Sequence, residues 1–375
     1  MRVLMIVPGG VDQPGEYRVI PALHALIARI ARQHELTVAA LRQSPEEAHS
    51  ELLGASIVNL GYGARRFPAH QLLTWQHRLK RYLDARRNPI DLVHAAWIGP
   101  TSTLALGIAR RYRIPSVVSL LGGELVAIPE IGYGGRLSWS MRIHERLAFH
   151  FATRMTAPSQ FAMLPIRCVR PDACVLALMP DVRSFLEIDR PEKEATLRLL
   201  TVSTVNRVKD PLTLLRAFRR VVEHREDIHL DWVGEDILDG LAQREAERLG
   251  IARHVTFHGF QPYQALPGFY GHAHVYVQAS RFESAGVAVC EAAAAGMAIV
   301  GTRTGFLAEM PSECAVTVMP GLADDLGEAI LKVLQNPDLR RTMGQCARQW
   351  VMTRTADQTF EQCQSVYAAA VEAFR

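Results

Sequence analysis

Hydrophobic residues along the 375-residue chain alternate between short, uniformly apolar runs and longer amphipathic stretches. In the first half, we predict helices most clearly at residues 18–33, 69–87 and 101–113. Apolar strands that alternate with helices are typical of a parallel sheet covered on both faces. The predicted strands of this half are RVLMIV, ELTVAAL, SIVNL, DLVHAAW, SVVSLL and RMTAPS.

The same alternation begins again in the second half, so we predict two consecutive doubly wound α/β domains. The boundary is expected within residues 183–195, which are polar and contain Pro191. We assign residues 1–185 and 190–356 to the two domains, and a final helix at 357–375 that has no strand after it returns to the first. The predicted strands of the second half are LRLLTVST, HLDWVG, HVTFHG, VYVQAS, AIVGT and AVTVM.

Residues 280–302, SRFESAGVAVCEAAAAGMAIVGT, contain a candidate anion site. Ligands of open parallel sheets bind beyond the carboxyl ends of the strands, and here a strand ends at Ser280. A helix is predicted from near Ala285 to Gly296, which is a typical helix C-terminus. Backbone N–H groups at a helix start bind phosphate when small side chains let it approach. The residues that would present them are Ser284, Ala285, Gly286 and Val287.

A lone carboxylate, Glu291, lies in the same apolar helix seven residues after Ser284, so both are expected on one face. Burying a carboxylate is costly unless something hydrogen-bonds it. Glu291 can therefore meet hydroxyl groups of a ligand whose phosphates lie at the helix start, with Glu283 on the far side of those phosphates. The alternative is a capped core helix whose carboxylate is satisfied by a neighbouring residue.

The loop TVNRVKD carries two cations, Arg207 and Lys209, after a predicted strand. A helix follows, with Pro211 expected as its first residue. Two cations at such a position suit a diphosphate, although ordinary solvated surface charges remain an alternative.

Together these motifs resemble the retaining glycosyltransferases of the GT-B fold, specifically glycosyltransferase family 4. That family has two glutamates eight residues apart, an alanine-rich helix and a glycine loop, which here form ESAGVAVCEAAAAGMAIVGTRTG. The resemblance implies two Rossmann-like domains that face each other across a cleft. Further matching segments, in the family's order, are DLVHAAW, TAPSQF, VKDPLTLLRAF, WVGED, VTFHGF and VYVQAS, with the glycines of VPGGV.

The resemblance also implies roles for individual residues. Glu291 would bind the ribose hydroxyl groups of a nucleotide-sugar donor, so we predict that it is held by the sugar and not by groups of the protein. Glu283 would lie beside the transferred sugar, and Lys209 would bind the diphosphate. The glycines of VPGGV would line the cleft from the N-terminal domain. The donor-binding residues implied are Gly9, Gly10, Thr204, Lys209, Glu235, Ser284, Ala285, Gly286, Val287 and Glu291.

Two positions depart from the family. Its arginine, five residues before the lysine, is Thr204 here, and we expect Arg207 to supply the missing charge. Its histidine after the fifth strand is Leu121, for which Glu124 is a candidate substitute and His94 a weaker one. The catalytic residues implied are therefore Glu283, Lys209, Arg207 and Glu124.

The implied reaction moves a hexose from a UDP- or GDP-sugar to a glycan, lipid-linked or small-molecule acceptor, with retention and with neither a metal nor another cofactor. Preorganised N–H groups and cations would stabilise the departing diphosphate. The chain has no G-x-G-x-x-G after its first strand, which argues against a nicotinamide dehydrogenase. A non-catalytic nucleotide-sugar-binding protein and a sugar-nucleotide epimerase of the same fold remain alternatives.

Charge is unevenly distributed along the chain. Residues 1–190 hold 23 Lys and Arg against 15 Asp and Glu, a net +8, whereas the whole chain carries +4. A basic amphipathic helix at residues 70–87 could contact anionic lipid, or pack on the sheet with a solvated basic face. Acceptor contacts are expected from loops 9–18 and 121–136. Nucleic acid is a poorer partner because no aromatic platform accompanies the basic residues.

The six cysteines are scattered without metal-site spacing, so we predict reduced thiols in a cytoplasmic protein, with peripheral contact on the inner face of the membrane as an open alternative. The apolar run before Pro8 is too short for a signal peptide. Residues 92–109 are nearly uncharged, but Gly99 and Pro100 interrupt them, so they predict a strand, a loop and a buried helix rather than a membrane span.

Overall fold

A computed structural model of the chain describes residues 1–13, 19–62, 70–86, 90–188 and 197–375. The chain divides into two compact units, Met1–Met179 with Ala356–Arg375, and Pro180–Thr355. Some predictions fall outside the described residues: positions 14–18 of an expected acceptor loop, Arg87 at the end of the basic helix, and 189–195 of the expected boundary.

Unit 1 contains one sheet in the order β3-β4-β2-β1-β5-β6-β7-β8, in which the neighbouring strands are parallel except β3 and β4. Strand β1 is buried over most of its length because helices cover both faces of the sheet. Its strands are β1 (Arg2–Val7), β2 (Glu35–Ala40), β3 (Glu47–Leu52), β4 (Ala55–Leu60), β5 (Leu92–Ala96), β6 (Ser116–Ser119), β7 (Arg154–Ala157) and β8 (Cys174–Val175).

Unit 2 contains a parallel sheet in the order β11-β10-β9-β12-β13-β14. All twelve strands predicted from the sequence are present in the two sheets, which confirms the doubly wound α/β class. The strands of this unit are β9 (Leu197–Val202), β10 (Ile228–Val233), β11 (Val255–Gly259), β12 (Val275–Gln278), β13 (Ala298–Thr302) and β14 (Ala315–Val318).

Helices connect the strands in both units, and the three helices expected at 18–33, 69–87 and 101–113 are observed within two or three residues of those bounds. The helices are α1 (Pro21–Gln33), α2 (Gln71–Arg86), α3 (Pro100–Tyr112), α4 (Trp139–Phe151), α5 (Gln160–Arg167), α6 (Arg183–Leu186), α7 (Pro211–His224), α8 (Leu241–Arg248), α9 (Leu266–His272), α10 (Val287–Ala294), α11 (Ala323–Leu334), α12 (Pro337–Met352) and α13 (Ala356–Phe374).

Strand β3 was not predicted, because its sequence EAHSEL is polar and mostly exposed. It pairs antiparallel with β4 through a two-residue turn, Leu53-Gly54, at φ of 52° and 85°. Positive φ at both turn positions is what the tight turn of a twisted hairpin requires. An edge strand with one solvated face needs little apolar sequence, so its hydrophobic pattern is weak.

Helix α13 lies in unit 1, although the whole of unit 2 precedes it in the sequence. The Nε of Arg29 on α1 donates to Asp357 at 2.6 Å. Farther along the helix, the hydroxyl of Tyr367 lies 2.9 Å from Nδ1 of His94, and both side chains are buried. These contacts attach α13 to α1 and to the middle of the sheet.

The apolar side of α2 faces the core of unit 1, so the packed alternative for the basic helix is the one observed. Trp75 and Leu79 are fully buried, while Arg78 and Arg81 reach Glu47 on β3 at 3.6 and 2.8 Å. Within the described part of the chain, no helix is long and apolar enough to cross a membrane.

The expectation that every cysteine is a reduced thiol is wrong for two of them, because Cys314 and Cys346 form a disulfide. They are 32 positions apart, with Cα atoms 4.8 Å from each other, and link the segment before β14 to α12. Their spacing carries no signal, since only the fold of unit 2 brings them together.

Reduction of this disulfide is expected to lower the melting temperature of the protein. A cross-link that closes a loop of this length stabilises a fold by about 3 kcal/mol, by restricting the unfolded chain. Melting with and without a thiol reductant measures the effect. The variant Cys314→Ser should melt at the lower temperature under both conditions, while Cys168→Ser, at an exposed free thiol, should behave like the wild type. Equal melting of the oxidised and reduced wild type would contradict the prediction.

Candidate functional site

The loop after β9 brings Lys209 to the carboxyl edge of the sheet of unit 2. A short 3-10 helix, Arg207–Lys209, is capped by the Asn206 side chain, which accepts the N–H of Lys209 at 3.0 Å. Asp210 then takes a left-handed conformation, with φ of 51°, and its carboxylate caps α7 by accepting the N–H of Thr213. Helix α7 begins at Pro211, as predicted.

Lys209 and Glu283 meet at this edge, because the strands that precede them, β9 and β12, are neighbours in the sheet. The Nζ of Lys209 donates to Oε1 of Glu283 at 2.5 Å, and the Ser280 hydroxyl donates to the same oxygen at 2.6 Å. The lysine side chain is 26% exposed and the glutamate 12%. Two motifs 74 positions apart thus form one half-buried ion pair that solvent can reach.

Helix α10 begins at Val287, two residues later than predicted. Gly286 precedes the helix with φ of 102°, a conformation that favours glycine and prevents an earlier helical start. Ser284 and Ala285 therefore lie in the loop, where the carbonyl of Ala285 accepts the N–H of Phe306 at 2.7 Å. The argument that placed Ser284 and Glu291 on one helical face was wrong.

Glu291 is 3% exposed within α10, and it has protein partners, contrary to prediction. The hydroxyl of Tyr270 donates to its Oε2 at 2.7 Å, and Tyr263 also hydrogen-bonds it. Burial raises the pKa of this carboxyl to about 7, and the two tyrosines oppose that rise only in part. Val287 precedes it by four residues, so the first turn of α10 and the carboxylate share a face.

Two further side chains around the start of α10 were missed in the sequence. Gln278 is 6% exposed and Thr304 2%, yet the Gln278 Nε2 and the Thr304 hydroxyl have no hydrogen-bond partner within the described part of the chain. The Gln278 Oε1 is 3.7 Å from where a Cβ of Gly286 would lie. Gly305, next to Thr304, approaches the carbonyl of Ala285 so closely that a Cβ would be 2.2 Å from it. The sequence signal that could have identified Gln278 is a glutamine within the otherwise apolar strand β12.

The remaining predicted donor residues of unit 2 lie on the adjacent loops after β9 and β10. Thr204 and Glu235 are half-buried, and the N–H of Val205 donates to the Glu235 carbonyl at 2.7 Å. Gly234 allows these loops to touch, since a Cβ there would be 2.0 Å from the Ser203 carbonyl. Arg207 is exposed, and no carboxylate among the described residues pairs with it.

In unit 1, two buried side chains hold the glycine loop after β1. The Oε1 of Gln43 accepts the N–H of Val11 at 3.0 Å, and His24 hydrogen-bonds the Gly10 carbonyl. Gly10 has φ of 87°, and a Cβ there would lie 2.4 Å from Ile20, which explains the glycine, whereas one at Gly9 would crowd Gln43 at 3.2 Å. Nε2 of His24 and Nε2 of Gln43 have no partner in the described ranges. Burial lowers the pKa of His24, which favours its neutral form.

Glu124 organises the loop 121–136 rather than presenting a free carboxylate. Its oxygens accept the N–H groups of Ile98, Leu121 and Gly122 at 3.1, 3.2 and 2.7 Å. It is 7% exposed, and burial raises its pKa despite these bonds. His94 is part of the core: Ser119 and Tyr367 occupy both of its ring nitrogens, and burial lowers its pKa to about 4.

Two family profiles match successive parts of the chain. Residues 19–180 match the profile described as glycosyl transferase 4-like domain, and residues 184–350 match the profile described as glycosyl transferases group 1. The second match contains Lys209, Glu283 and Glu291.

Among similar proteins, the GDP-mannose-dependent alpha-(1-6)-phosphatidylinositol monomannoside mannosyltransferase of Mycolicibacterium smegmatis is 27% identical over 88% of this chain and 89% of its own length. The D-inositol 3-phosphate glycosyltransferase of Corynebacterium jeikeium is 32% identical over 48% of this chain and 46% of its own length. Sucrose-phosphate synthase from Thermosynechococcus elongatus superposes with a TM-score of 0.80 at 18% identity, over 98% of both chains. Anabaena HepE with UDP and glucose superposes at 0.74 and 16% identity, over 98% of this chain and 99% of its own.

Proposed function

The chain belongs to family 4 of the GT-B glycosyltransferases and uses a nucleotide sugar, and on that premise we propose that it transfers a hexose with retention of configuration and without a metal ion. The observation that carries the proposal is the Lys209–Glu283 pair beside the start of α10, the helix that also holds Glu291. A cation, the first backbone N–H groups of α10 and two carboxylates thus lie together at the carboxyl edge of the unit 2 sheet.

Lys209 would bind the diphosphate of the donor in this arrangement. The incoming phosphates would compete with Glu283 for the ammonium group, and the first N–H groups of α10 would face the distal phosphate. As the bond to the sugar breaks, negative charge grows on the departing diphosphate, and the fixed cation and dipoles stabilise it without reorganising. Glu283, held by Ser280, would then lie beside the sugar as positive charge develops there. The chain's own groups supply this stabilisation, so the proposed reaction needs no cofactor, and the nucleotide sugar is a co-substrate.

The relatives best support GDP-mannose as the donor and an inositol-containing lipid as the acceptor class. The glycine loop of unit 1 suits an acceptor with several hydroxyl groups, because Nε2 of both His24 and Gln43 has no partner among the residues that the structure describes. Buried polar groups are satisfied in most proteins, so such atoms mark a site that a polar ligand completes.

Arg207→Ala is expected to raise the KM for the nucleotide sugar about tenfold, because the second positive charge near the diphosphate would be lost. The side chain is exposed, so the substitution should leave the melting temperature unchanged. Steady-state kinetics with the donor varied test this prediction. A variant with wild-type kinetics would show that Arg207 does not supply the charge of the family arginine, whose position Thr204 occupies here.

Thr304→Val is expected to weaken donor binding about tenfold without destabilising the protein, because the hydroxyl that it removes has no partner in the described part of the chain. The matched control is Thr302→Val, which removes a hydroxyl that donates to the Ser280 carbonyl at 2.6 Å and should therefore lower the melting temperature. Donor titration and melting of both variants provide the comparison. Loss of stability at Thr304, with unchanged donor affinity, would show that its hydroxyl serves the fold alone.

Thermal stabilisation by a panel of nucleotide sugars tests the donor, with a nicotinamide dinucleotide as the negative control. A ligand at about 100 times its dissociation constant adds about 2.7 kcal/mol of stability. We expect GDP-mannose to raise the melting temperature of the wild type but not that of Glu291→Ala. A shift with another nucleotide sugar alone would replace the donor assignment, and the absence of any shift would contradict the site.

Product analysis separates the proposed reaction from its alternatives. Two results would support retaining, metal-independent transfer. Nucleoside diphosphate should be released when an acceptor is present, and the product formed in the presence of a chelator should keep the donor's anomeric configuration. Inversion, or activity abolished by the chelator and restored by a divalent ion, would contradict it. Epimerised nucleotide sugar without acceptor would indicate an epimerase, and binding without turnover would indicate a non-catalytic protein.

A further inference from the structure

A cavity of about 610 Å³ lies in unit 1 between the C-terminal halves of α3 and α4. It adjoins Ser116 and Thr153, at the amino-terminal ends of β6 and β7, whereas the glycine loop and Glu124 lie at the carboxyl ends of strands. It is therefore separate from the candidate site. Cavities of this size with mostly apolar walls are typical of small-molecule sites. The apolar side chains that line it include Leu106, Ile114, Leu147, Phe151 and Phe374.

Two arginines, Arg110 and Arg113, line the cavity from the end of α3. Both are exposed, and neither has a carboxylate partner in the part of the chain that the structure describes. Arg113 has φ of 52°, in the left-handed region at the C-cap of α3. An apolar cavity with two uncompensated cations matches an amphiphile that has an anionic head group and an apolar chain.

An exposed apolar stripe on α4 extends the cavity along the surface. Trp139, Ile143, Leu147 and Phe151 follow one another at intervals of four, so they share one side of the helix. Three of them are large apolar side chains that remain exposed, at 76%, 46% and 53% for Trp139, Ile143 and Phe151. Leu147 and Phe151 also line the cavity. Contiguous exposed apolar side chains of this size mark a contact surface.

Basic residues flank this stripe. Arg142 and Arg146 on α4 are exposed, whereas the one acidic residue of the helix, Glu145, is paired with Arg136 at 2.6 Å. A helix with Trp, Ile and Phe on one side and arginines beside them is the pattern of helices that lie in the interface of an anionic bilayer. The excess of positive charge on α4 favours an anionic lipid surface over an uncharged apolar partner.

We propose that the α4 surface, defined by Trp139, Ile143, Leu147 and Phe151, docks on an anionic lipid bilayer, and that the cavity takes one acyl chain of a lipid whose head group lies on Arg110 and Arg113. The 13 residues of α4 span about 20 Å, which lets the helix lie along the bilayer surface. Loop 121–136 directly precedes this helix and would come close to the lipid. The proposal stands independently of donor and acceptor identity.

Sedimentation with lipid vesicles tests the docking surface. The wild-type chain should bind vesicles of phosphatidylcholine that contain phosphatidylglycerol, and bind pure phosphatidylcholine vesicles at least tenfold more weakly. The double variant Trp139→Ser/Ile143→Ser should lose at least tenfold in affinity, because two exposed apolar side chains no longer enter the interface. Both positions are exposed, so melting should be unchanged.

The matched control for this experiment is Leu73→Ser, which removes an apolar side chain that is 69% exposed on α2. It should bind the mixed vesicles like the wild type. If Leu73→Ser loses as much affinity as the double variant, α2 is the docking element and the proposal is overturned. Full vesicle binding by the double variant, or no binding by the wild type, also overturns it.

The cavity is tested with a single-chain probe, lauroyl lysophosphatidylglycerol below its micelle concentration. We expect saturable calorimetric binding that falls at least tenfold in Gly107→Leu, and also in Arg110→Gln/Arg113→Gln. Gly107 lines the cavity, and among the described residues a Cβ there would meet only the Gln76 amide, at 3.8 Å, so leucine can enter the cavity without a backbone clash. Equal binding by Gly107→Leu, or equal binding of the chain-free glycerophosphoglycerol head group, would overturn the chain site.

Discussion

Replacing Lys209 by methionine is expected to lower kcat about a thousandfold. Loss of one preorganised group that stabilises charge in a transition state typically costs a hundredfold to a thousandfold in kcat. The structure fixes the Lys209 cation at this edge through the Asn206 cap and the 2.5 Å contact with Glu283. Methionine keeps the unbranched apolar stem and removes only the charge. The kcat and KM at saturating acceptor, with GDP-mannose varied, provide the measurement.

Two controls make this result specific. Lys332→Met changes an exposed lysine on α11 and should leave kcat unchanged. Because Lys209→Met also leaves Glu283 without its cation, the double variant Lys209→Met/Glu283→Gln shows whether the glutamate acts through the lysine or separately. A Lys209→Met enzyme whose kcat stays within tenfold of the wild type would contradict the proposed stabilisation of the leaving group.

Glu291→Gln is expected to stabilise the ligand-free protein at pH 8 and to weaken donor binding about a hundredfold. Burial raises the pKa of this carboxyl from 4.5 to about 7 in the folded protein. Between those values the unfolded chain has released the proton and the folded chain has not, so the stability of the wild type falls as the pH rises. The full effect is about 3 kcal/mol. Glutamine has no proton to lose, so the variant should not show this fall.

The affinity for the donor should change with pH in the opposite direction to the stability. An ionised carboxylate accepts hydrogen bonds from ribose hydroxyl groups, each worth about 1.5 kcal/mol or more, and an amide replaces it poorly. Donor affinity of the wild type should therefore increase with pH up to about 7 and then remain constant. Urea unfolding and donor titration between pH 5 and 8 measure both effects, with Glu313→Gln as a control at an exposed carboxylate. Equal pH dependence in Glu291→Gln and the wild type would contradict the assignment.

The strands could be predicted because a strand buried on both faces needs a continuous apolar sequence, as in β1 or β13. Strand β3 lacks that constraint, since it pairs on one edge and is mostly exposed. The start of α10 was misplaced because helix propensity does not show that Gly286 takes a positive φ. The local hydrophobic pattern thus predicts helices and strands well where burial is uniform. It predicts them poorly where the backbone conformation of a single residue determines where an element begins.

The site was partly predictable for a similar reason. Lys209 and Glu283 both follow strands, and the carboxyl edge of one sheet brings such residues together whatever their separation in sequence. The partners of Glu291 follow no such rule, because Tyr263 lies in a short 3-10 helix and Tyr270 on α9. The disulfide is similar, since only side-chain packing in unit 2 brings Cys314 to Cys346.

The position of α13 affects the order in which the chain folds during synthesis. A ribosome delivers residues 1–179 first, but α13 emerges only after all of unit 2 has been made. Until then Tyr367 is absent from its place against His94, and Asp357 from Arg29. Unit 2 is continuous and can complete its core as soon as it emerges, since domains generally fold as units. The nascent first unit meanwhile keeps an apolar surface uncovered, which makes it a client for chaperones throughout elongation.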